Sequence, residues 1–182
     1  MKRTIVTPAA LPPTALAELK QWLGITIASD DPLLSALLRA ALDLCEGFTG
    51  IMPLQAECEE VLPAACGWQV LATAPVQAIT AVYGIPPTGA RFALSSNAYA
   101  LELDVNGAGR VMVTTPGTAQ RIAVRLTAGL AASWDVLPDA LRHGIVRLAA
   151  HQHRERESSG ASPLPPAAVA ALWRPWRQMR LA

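Results

Sequence analysis

Two histidines, His151 and His153, are the side chains whose type could support metal chemistry. Imidazole nitrogens are common zinc ligands, but residues two apart on a helix point about 200° from each other. Both rings therefore cannot reach one ion without breaking the helix predicted there, and no cysteine or paired carboxylate lies near them in sequence. The pattern favours a solvated helix end, and we expect no metal and no cofactor.

Candidate catalytic groups are two serines, Ser95 and Ser96, and an acidic run of Glu57, Glu59 and Glu60. The serines lack the Gly-x-Ser-x-Gly context that presents a nucleophile. The glutamates all carry one sign of charge, which indicates a strand edge and gives no spacing for an acid/base pair. The sequence therefore predicts no catalytic residue and a protein that is not an enzyme.

Two further patterns could be mistaken for sites. The glycines of Asn106-Gly107-Ala108-Gly109 could cradle a phosphate, but no Lys-Ser/Thr and no helix follow, so the stretch predicts a hairpin turn. The three cysteines, Cys45, Cys58 and Cys66, cannot all pair within the chain, and none has Cys-x-x-Cys spacing. We expect free thiols in a reducing compartment.

The C-terminal segment, LWRPWRQMRLA over residues 172–182, has the composition of an interface. Tryptophan and arginine are enriched among binding hot spots because they combine a large apolar area with directional donors. Two alternatives follow: the segment covers the chain's own apolar surface, or it docks on another protein. Three arginines neutralise too few phosphates to hold DNA firmly. The residues assigned to docking are Trp173, Arg174, Trp176, Arg177, Met179, Arg180 and Leu181.

Charge divides the chain unevenly. Residues 1–141 hold eight Lys/Arg against twelve Asp/Glu, a net −4, whereas residues 142–182 hold seven Arg against two Glu, a net +5. The chain is 52% hydrophobic, but much of this is alanine, and no uncharged apolar run reaches the roughly 18 residues that indicate a membrane helix. The N-terminus lacks the unbroken apolar stretch of a signal peptide. We expect an acidic body, a basic tail and no membrane partner.

Helical spacing at both ends predicts the elements that carry these residues. After a proposed N-cap at Thr14, a short helix closes at Gly24. The run Ser29-Asp30-Asp31-Pro32 offers capping oxygens for a second helix that ends at Gly50. Helical spacing returns from Pro138 to about residue 157, where Gly144 weakens the helix by about 1 kcal/mol relative to alanine. The core stripe predicted for the second helix is Leu34, Leu38, Ala41, Cys45 and Phe48.

Period-two alternation between residues 56 and 130 predicts half-buried strands. The predicted fold is α+β: an N-terminal helical pair over about 14–49, a central antiparallel β region over about 56–130, and a long helix over 138–157. We expect residues 1–157 to form a single domain. Residues 158–182 are predicted to be a linker, a short helix over 167–173 stopped by Pro175, and a docking tail. The predicted strands lie near 68–73, 76–83, 99–103, 111–113 and 122–126.

The order of short motifs resembles the head-tail connector (adaptor) proteins of long-tailed phages and phage-derived gene transfer agents. At the start these are Leu19-Lys20-x-x-Leu23, Asp30-Asp31 before Leu33-Leu34-x-x-Leu37-Leu38, and Glu46-x-x-Thr49-Gly50. In the middle they are Pro75-Val76-x-x-Ile79-x-x-Val82 and Val124-Arg125-x-Thr127-Ala128-Gly129, and at the end Pro138-x-x-Leu141, Leu148 with His151, and Leu172-x-x-Pro175-x-Arg177. The resemblance spans nearly the whole chain, and the β region matches the family's longer members.

The resemblance implies a homo-oligomeric ring, usually of twelve copies, in the neck of the particle. It implies docking beneath the portal protein, a stopper or tail-side neck protein below, and DNA passing through without sequence-specific binding. Such a ring would be assembled in the bacterial cytoplasm and would need heterologous interfaces between copies. The resemblance also predicts that a chain without residues 167–182 folds but no longer joins the portal. The alternatives are a small DNA-binding or regulatory protein using the basic C-terminal region and, behind it, an enzyme with a convergent pocket.

Overall fold

The computed structural model describes residues 2–155 and 165–177. Its contacts divide the chain into two compact units. The strand unit comprises Met1–Ala9 and Gln55–Leu130, and the helical unit comprises Ala10–Leu54 and Ala131–Ala182. The predicted boundary at residue 157 does not coincide with a boundary between units, and a single domain over 1–157 stays a prediction.

The predicted α+β class is confirmed, with helices towards both ends and antiparallel strands between them. The helices are α1 (Pro13–Leu23), α2 (Asp31–Thr49), α3 (Asp139–Glu155) and α4 (Ala167–Trp173), with 3-10 turns at Ser96–Ala98, Trp134–Val136 and Arg174–Trp176. The strands are β1 (Lys2–Thr7), β2 (Ala56–Pro63), β3 (Gln69–Val70), β4 (Val76–Ile85), β5 (Phe92–Ala93), β6 (Tyr99–Leu103), β7 (Gly109–Val113) and β8 (Arg121–Ala128).

In the helical unit, α2 packs on α3, α1 and α4, and most of the stripe that its spacing predicts is buried. Leu34, Leu38, Ala41 and Cys45 are buried, whereas Phe48 is half-buried. Thr49 closes the buried face, and its hydroxyl donates to the Cys45 carbonyl at 2.7 Å. This bond satisfies a polar group that would otherwise be costly to bury at the end of an apolar stripe.

The predicted N-cap of α1 is wrong, the N-cap of α2 lies within the predicted run, and both C-caps are as expected. The N-cap of α1 is Pro12, and Thr14 lies in the first turn, where its hydroxyl donates to Asp135 Oδ1 at 3.3 Å. Asp30 occupies the N-cap of α2 without a side-chain capping bond. Gly24 and Gly50 take the left-handed conformation at φ 72° and 74°, which favours glycine.

The strand unit contains a five-stranded antiparallel sheet in the order β1-β2-β8-β4-β5 and a three-stranded sheet in the order β3-β7-β6. β8 lies at the centre of the larger sheet, and its consecutive residues Ile122, Ala123 and Val124 are all fully buried. Both faces of β8 are therefore covered over this stretch, which corrects the prediction of a half-buried strand. The edge strand β1 was not predicted from the sequence.

The acidic run on β2 is not the exposed edge that its charge pattern indicated. β2 lies between β1 and β8, and Glu60 is fully buried. Its carboxylate accepts hydrogen bonds from the Thr73 backbone N–H at 2.6 Å, the Thr73 hydroxyl, and the Ala72 N–H at 2.9 Å. Three donors around one carboxylate replace the water that it loses on burial. Glu60 thus holds the segment after β3 against β2.

Candidate partner-binding segment

The described part of the C-terminal segment begins with α4, which was predicted over the same residues, 167–173. Pro166 occupies the N-cap, a position that needs no backbone donor. Val169 and Trp173 are four residues apart, so they lie on one face of the helix, and both are buried. This spacing fixes which side of α4 contacts α2 and α3.

Trp173 is the anchor of this face. Its indole is fully buried, and its ring lies 6.0 Å from that of Phe48, centroid to centroid. Its Nε1–H points at the Leu141 carbonyl, 3.4 Å away. A Cβ atom on Gly144 would overlap the indole, with Trp173 Cδ1 only 2.9 Å from it. The glycine that weakens α3 in isolation therefore provides the space that Trp173 fills.

The residues after Trp173 are more exposed. Arg174 and Arg177 are exposed, Trp176 is half-buried, and the Arg177 guanidinium carbon lies 5.6 Å from the centre of the Phe48 ring. This geometry fits a cation–π contact. The other proposed docking residues, Met179, Arg180 and Leu181, lie outside the described residues.

The placement of Trp173 changes one prediction from the sequence. Removing a buried tryptophan commonly costs about 3–5 kcal/mol, so deleting residues 167–182 would remove part of the core along with any docking residue. That deletion is no longer a clean test of docking. A shorter deletion, starting after Arg177, leaves every described residue of the segment in place.

A groove of about 530 Å³ in the helical unit was not predicted from the sequence. Trp22, on α1, is 44% exposed and meets the His143 ring of α3 edge to face at 5.2 Å. The Arg142 guanidinium donates to Asp139 Oδ1 at 2.8 Å and lies 3.9 Å from Glu18 Oε2. Spacing could not reveal this groove, because α1 and α3 are more than 110 residues apart in the chain. The groove is lined by Glu18, Gln21, Trp22, Asp139, Arg142, His143 and Val146.

The histidines and serines considered as metal ligands or catalytic groups do not come together in one site among the described residues. His151 Nε2 lies 2.9 Å from Glu155 Oε2, one turn along α3. Among residues 2–155 and 165–177, no group of three or more His, Cys, Asp or Glu could hold a metal ion. Ser95 hydrogen-bonds the Asn97 side chain at 2.6 Å, within the turn before β6. In the same described ranges, no helix is long and apolar enough to cross a membrane.

The cysteines are free thiols, with Cys45 and Cys58 buried and Cys66 exposed. Burial raises the pKa of the Cys45 thiol from 9.0 to about 12, an effect partly offset by the hydrogen bond with Thr49. Because the thiolate is the nucleophilic form, a neutral buried Cys45 has a structural role.

The glycine-rich stretch forms the predicted hairpin turn between β6 and β7. Asp104 Oδ1 accepts from the Asn106 and Ala108 backbone N–H groups, each at 2.8 Å. Gly107 has φ 77°, and a Cβ there would lie 2.5 Å from Pro75 Cβ. The glycine thus serves a left-handed turn in close contact with a neighbouring segment.

Comparison with solved structures finds similarity over the full length. The chain aligns with a chain of the neck of an empty gene transfer agent (GTA) particle computed with C6 symmetry, at 28% identity and TM-score 0.78. It also aligns with chains of a native GTA virion, at 28% identity and TM-score 0.76, and of a native GTA neck computed with C12 symmetry, at 29% and 0.77. Each alignment covers 100% of this chain and 98% of the other. No protein-family model and no curated protein matches the sequence.

Proposed function

We propose that this protein is a structural component of the neck of a phage-derived particle of the gene transfer agent type. The observation that carries the proposal is the full-length similarity to chains of GTA neck structures, at 28–29% identity and TM-scores of 0.77–0.78. The similarity extends through both the helical and the strand unit, because the whole chain is covered. In this role the protein contributes shape and contact surfaces.

Within the neck, we assign the protein the role of a head-tail adaptor. It forms a homo-oligomeric ring of twelve copies between the portal protein and the stopper or tail-side neck protein, and DNA passes through the ring. The C6 and C12 symmetries of the similar necks support a ring of this order. The net −4 of residues 1–141 is compatible with a channel that repels DNA and lets it slide.

The C-terminal segment is assigned to portal docking, with its residues in two roles. Trp173 holds the segment on the helical unit, and the side chains of Arg174, Trp176 and Arg177 are available to a partner. Met179, Arg180 and Leu181 extend the same basic and apolar composition. The DNA-binding alternative draws no support from the comparisons.

The test is incorporation into particles. A chain lacking residues 178–182 and carrying Trp176→Ala is expected to fold, with a melting temperature much closer to that of the wild type than to that of Trp173→Ala, and to be lost from purified particles. Immunoblotting of the particles against the capsid protein measures that loss. Ala17→Ser on the exposed side of α1 is the matched control and should be incorporated normally.

Two results separate the parts of the proposal. Normal incorporation of the truncated variant would refute docking through this segment. Absence of the wild-type protein from the necks of particles, as seen by electron microscopy, would refute the neck assignment itself.

A further inference from the structure

The helix α2 carries a second apolar stripe that the helical unit buries only in part, with Leu37 half-buried. Its members follow one another at spacings of four, three, four and three residues, as in the seam of a helix pair. Leu33 is 40% exposed and Leu44 is 37% exposed, and the small residues Ala40 and Gly47 between and beyond them are exposed. We call this the outer stripe; it comprises Leu33, Leu37, Ala40, Leu44 and Gly47.

The spacing makes the outer stripe distinct from the core of the unit. Each member precedes a residue of the buried stripe by one position, which rotates the outer stripe by about 100° around the helix axis. A helix on the surface of a soluble protein needs only one apolar face for its own core. A second face, which spans 15 residues and about 21 Å, is therefore available for another helix or an apolar groove.

An apolar groove of about 240 Å³ lies on the other flank of the same helix. It is formed where the start of α1 approaches α2, and we call it the α1–α2 groove. Ser35 and Arg39 line this groove. Viewed along the axis of α2, Ser35 lies roughly 160° from Leu33 of the outer stripe, and Arg39 lies roughly 140° from Leu44. The groove and the stripe therefore lie on different sides of the helix. The α1–α2 groove is lined by Leu11, Pro12, Pro13, Leu16, Ser35, Leu38 and Arg39.

Charges at the rims of these two surfaces are complementary. Arg39 lines the groove and is exposed, and Asp43 is exposed beside the outer stripe. A contact that joins the stripe of one copy to the groove of the next therefore allows Arg39 of one copy to approach Asp43 of the other. In an antiparallel stripe-to-stripe contact the two Asp43 carboxylates would instead lie along the same edge of the interface, and their repulsion disfavours a two-fold dimer of that kind.

We propose that the outer stripe is the surface through which one copy of this chain packs into the α1–α2 groove of the next copy. The contact is heterologous, because two different surfaces meet, and repetition of such a contact closes a ring when the rotation permits it. The proposal rests on the proposed function, since it names the subunit contact of the neck ring. The occupant of the stripe is a second copy of this chain.

Photo-crosslinking in assembled particles tests the contact. The photoreactive residue p-benzoyl-L-phenylalanine replaces Ala40 on the outer stripe or, as a control, Ala17 on the exposed side of α1. Irradiation of the Ala40 particles is expected to give a covalent dimer, and mass spectrometry should map the bond to residues 11–16 or 35–39 of the second copy. The Ala17 particles should give no bond to those residues.

Other products overturn the proposal. They are a bond from position 40 to the portal or another neck protein, a bond to the same copy, or no bond at all in particles that contain the variant. Absence of the wild-type chain from the particle neck is a separate result, because it refutes the proposed function before the contact is examined.

A charge exchange gives a second readout on the full-length chain. Arg39→Asp and Asp43→Arg each place like charges across the proposed contact, so each variant alone is expected to assemble at least tenfold less efficiently in low salt. A mixture of the two restores opposite charges at every contact of an alternating ring and should restore assembly, as measured by native mass spectrometry of the assembled rings. If the mixture assembles no more efficiently than either single variant, the proposed pairing of stripe and groove is wrong.

Discussion

At the scale of single residues, two side chains that looked ordinary in the sequence carry much of the packing. Gly144 interrupts a helix and Glu60 belongs to an acidic run, and neither type indicates its role. In the structure Gly144 faces a buried indole, and Glu60 accepts three hydrogen bonds in a buried site. Both roles depend on residues that are distant in sequence, which is why the residue type alone does not indicate them. One substitution tests each role.

Gly144→Ala should destabilise the protein although alanine favours helix formation. The added Cβ would meet the Trp173 ring, with 2.9 Å to Cδ1. Overpacking of this kind costs about 1–3 kcal/mol, which exceeds the gain of about 1 kcal/mol in helix propensity. Thermal unfolding measures the difference. The control is Gly47→Ala on α2, where nothing lies within 4 Å of the new Cβ, and this variant should unfold at the same or a higher temperature.

Glu60→Gln should also destabilise the fold. The amide retains one oxygen acceptor but turns an N–H₂ group towards a backbone donor, either of Ala72 or of Thr73. An unsatisfied buried donor costs about 1–3 kcal/mol. Urea unfolding should show this loss, whereas the exposed Glu57→Gln should change stability by less than about 0.5 kcal/mol. Equal effects of the two substitutions would contradict the role assigned to Glu60.

At the scale of elements, α4 is held by its own side chains and does not depend on the proposed partner. A seven-residue helix is too short to be stable alone in water. Its burial of Val169 and Trp173 on the helical unit supplies the missing stability.

Trp173→Ala and Trp176→Ala should separate anchoring from docking. The first variant removes a fully buried ring and should destabilise the protein by about 3–5 kcal/mol. The second changes a half-buried ring beyond the helix and should alter the melting temperature much less. Circular dichroism during heating checks both. A larger loss for Trp176→Ala would show that the anchor is misassigned.

At the scale of the whole molecule, charge is distributed between a body of net −4 over residues 1–141 and a C-terminal part of net +5. The proposed docking segment belongs to the positive part, and a partner surface that receives it would be acidic. Interactions between exposed charges are screened over about 10 Å at 0.1 M salt. The association should therefore respond to ionic strength.

Binding of the full-length chain to purified portal rings should weaken as sodium chloride is raised. Because screening acts on exposed charges, we expect a decrease of at least tenfold in affinity between about 0.05 and 0.5 M salt. Surface plasmon resonance can measure it. The chain without residues 178–182 loses Arg180 and should show a shallower salt dependence. Affinity that does not change with salt would contradict docking through the basic segment.

Local rules in the sequence predicted much of the fold. The spacing of Leu34, Leu38, Ala41 and Cys45 predicted the buried face of α2, because a helix repeats every 3.6 residues whatever surrounds it. Gly24 and Gly50 predicted the helix ends, because the left-handed backbone conformation that ends a helix is usually adopted by glycine. This signal is also local in the sequence. The helix α4 was also predicted over residues 167–173, with Pro175 as the local signal that stops it.

Tertiary structure decided what those local rules left open. The sequence could not show that Glu60 is buried, because its donors lie in a segment brought alongside β2 by folding. It left two fates for the C-terminal tryptophans, and only the folded helical unit, in which Gly144 leaves room for the Trp173 indole, shows that Trp173 is buried while Trp176 is half-buried. The periodicity of one segment is a property of that segment alone, whereas burial depends on which distant segment covers it.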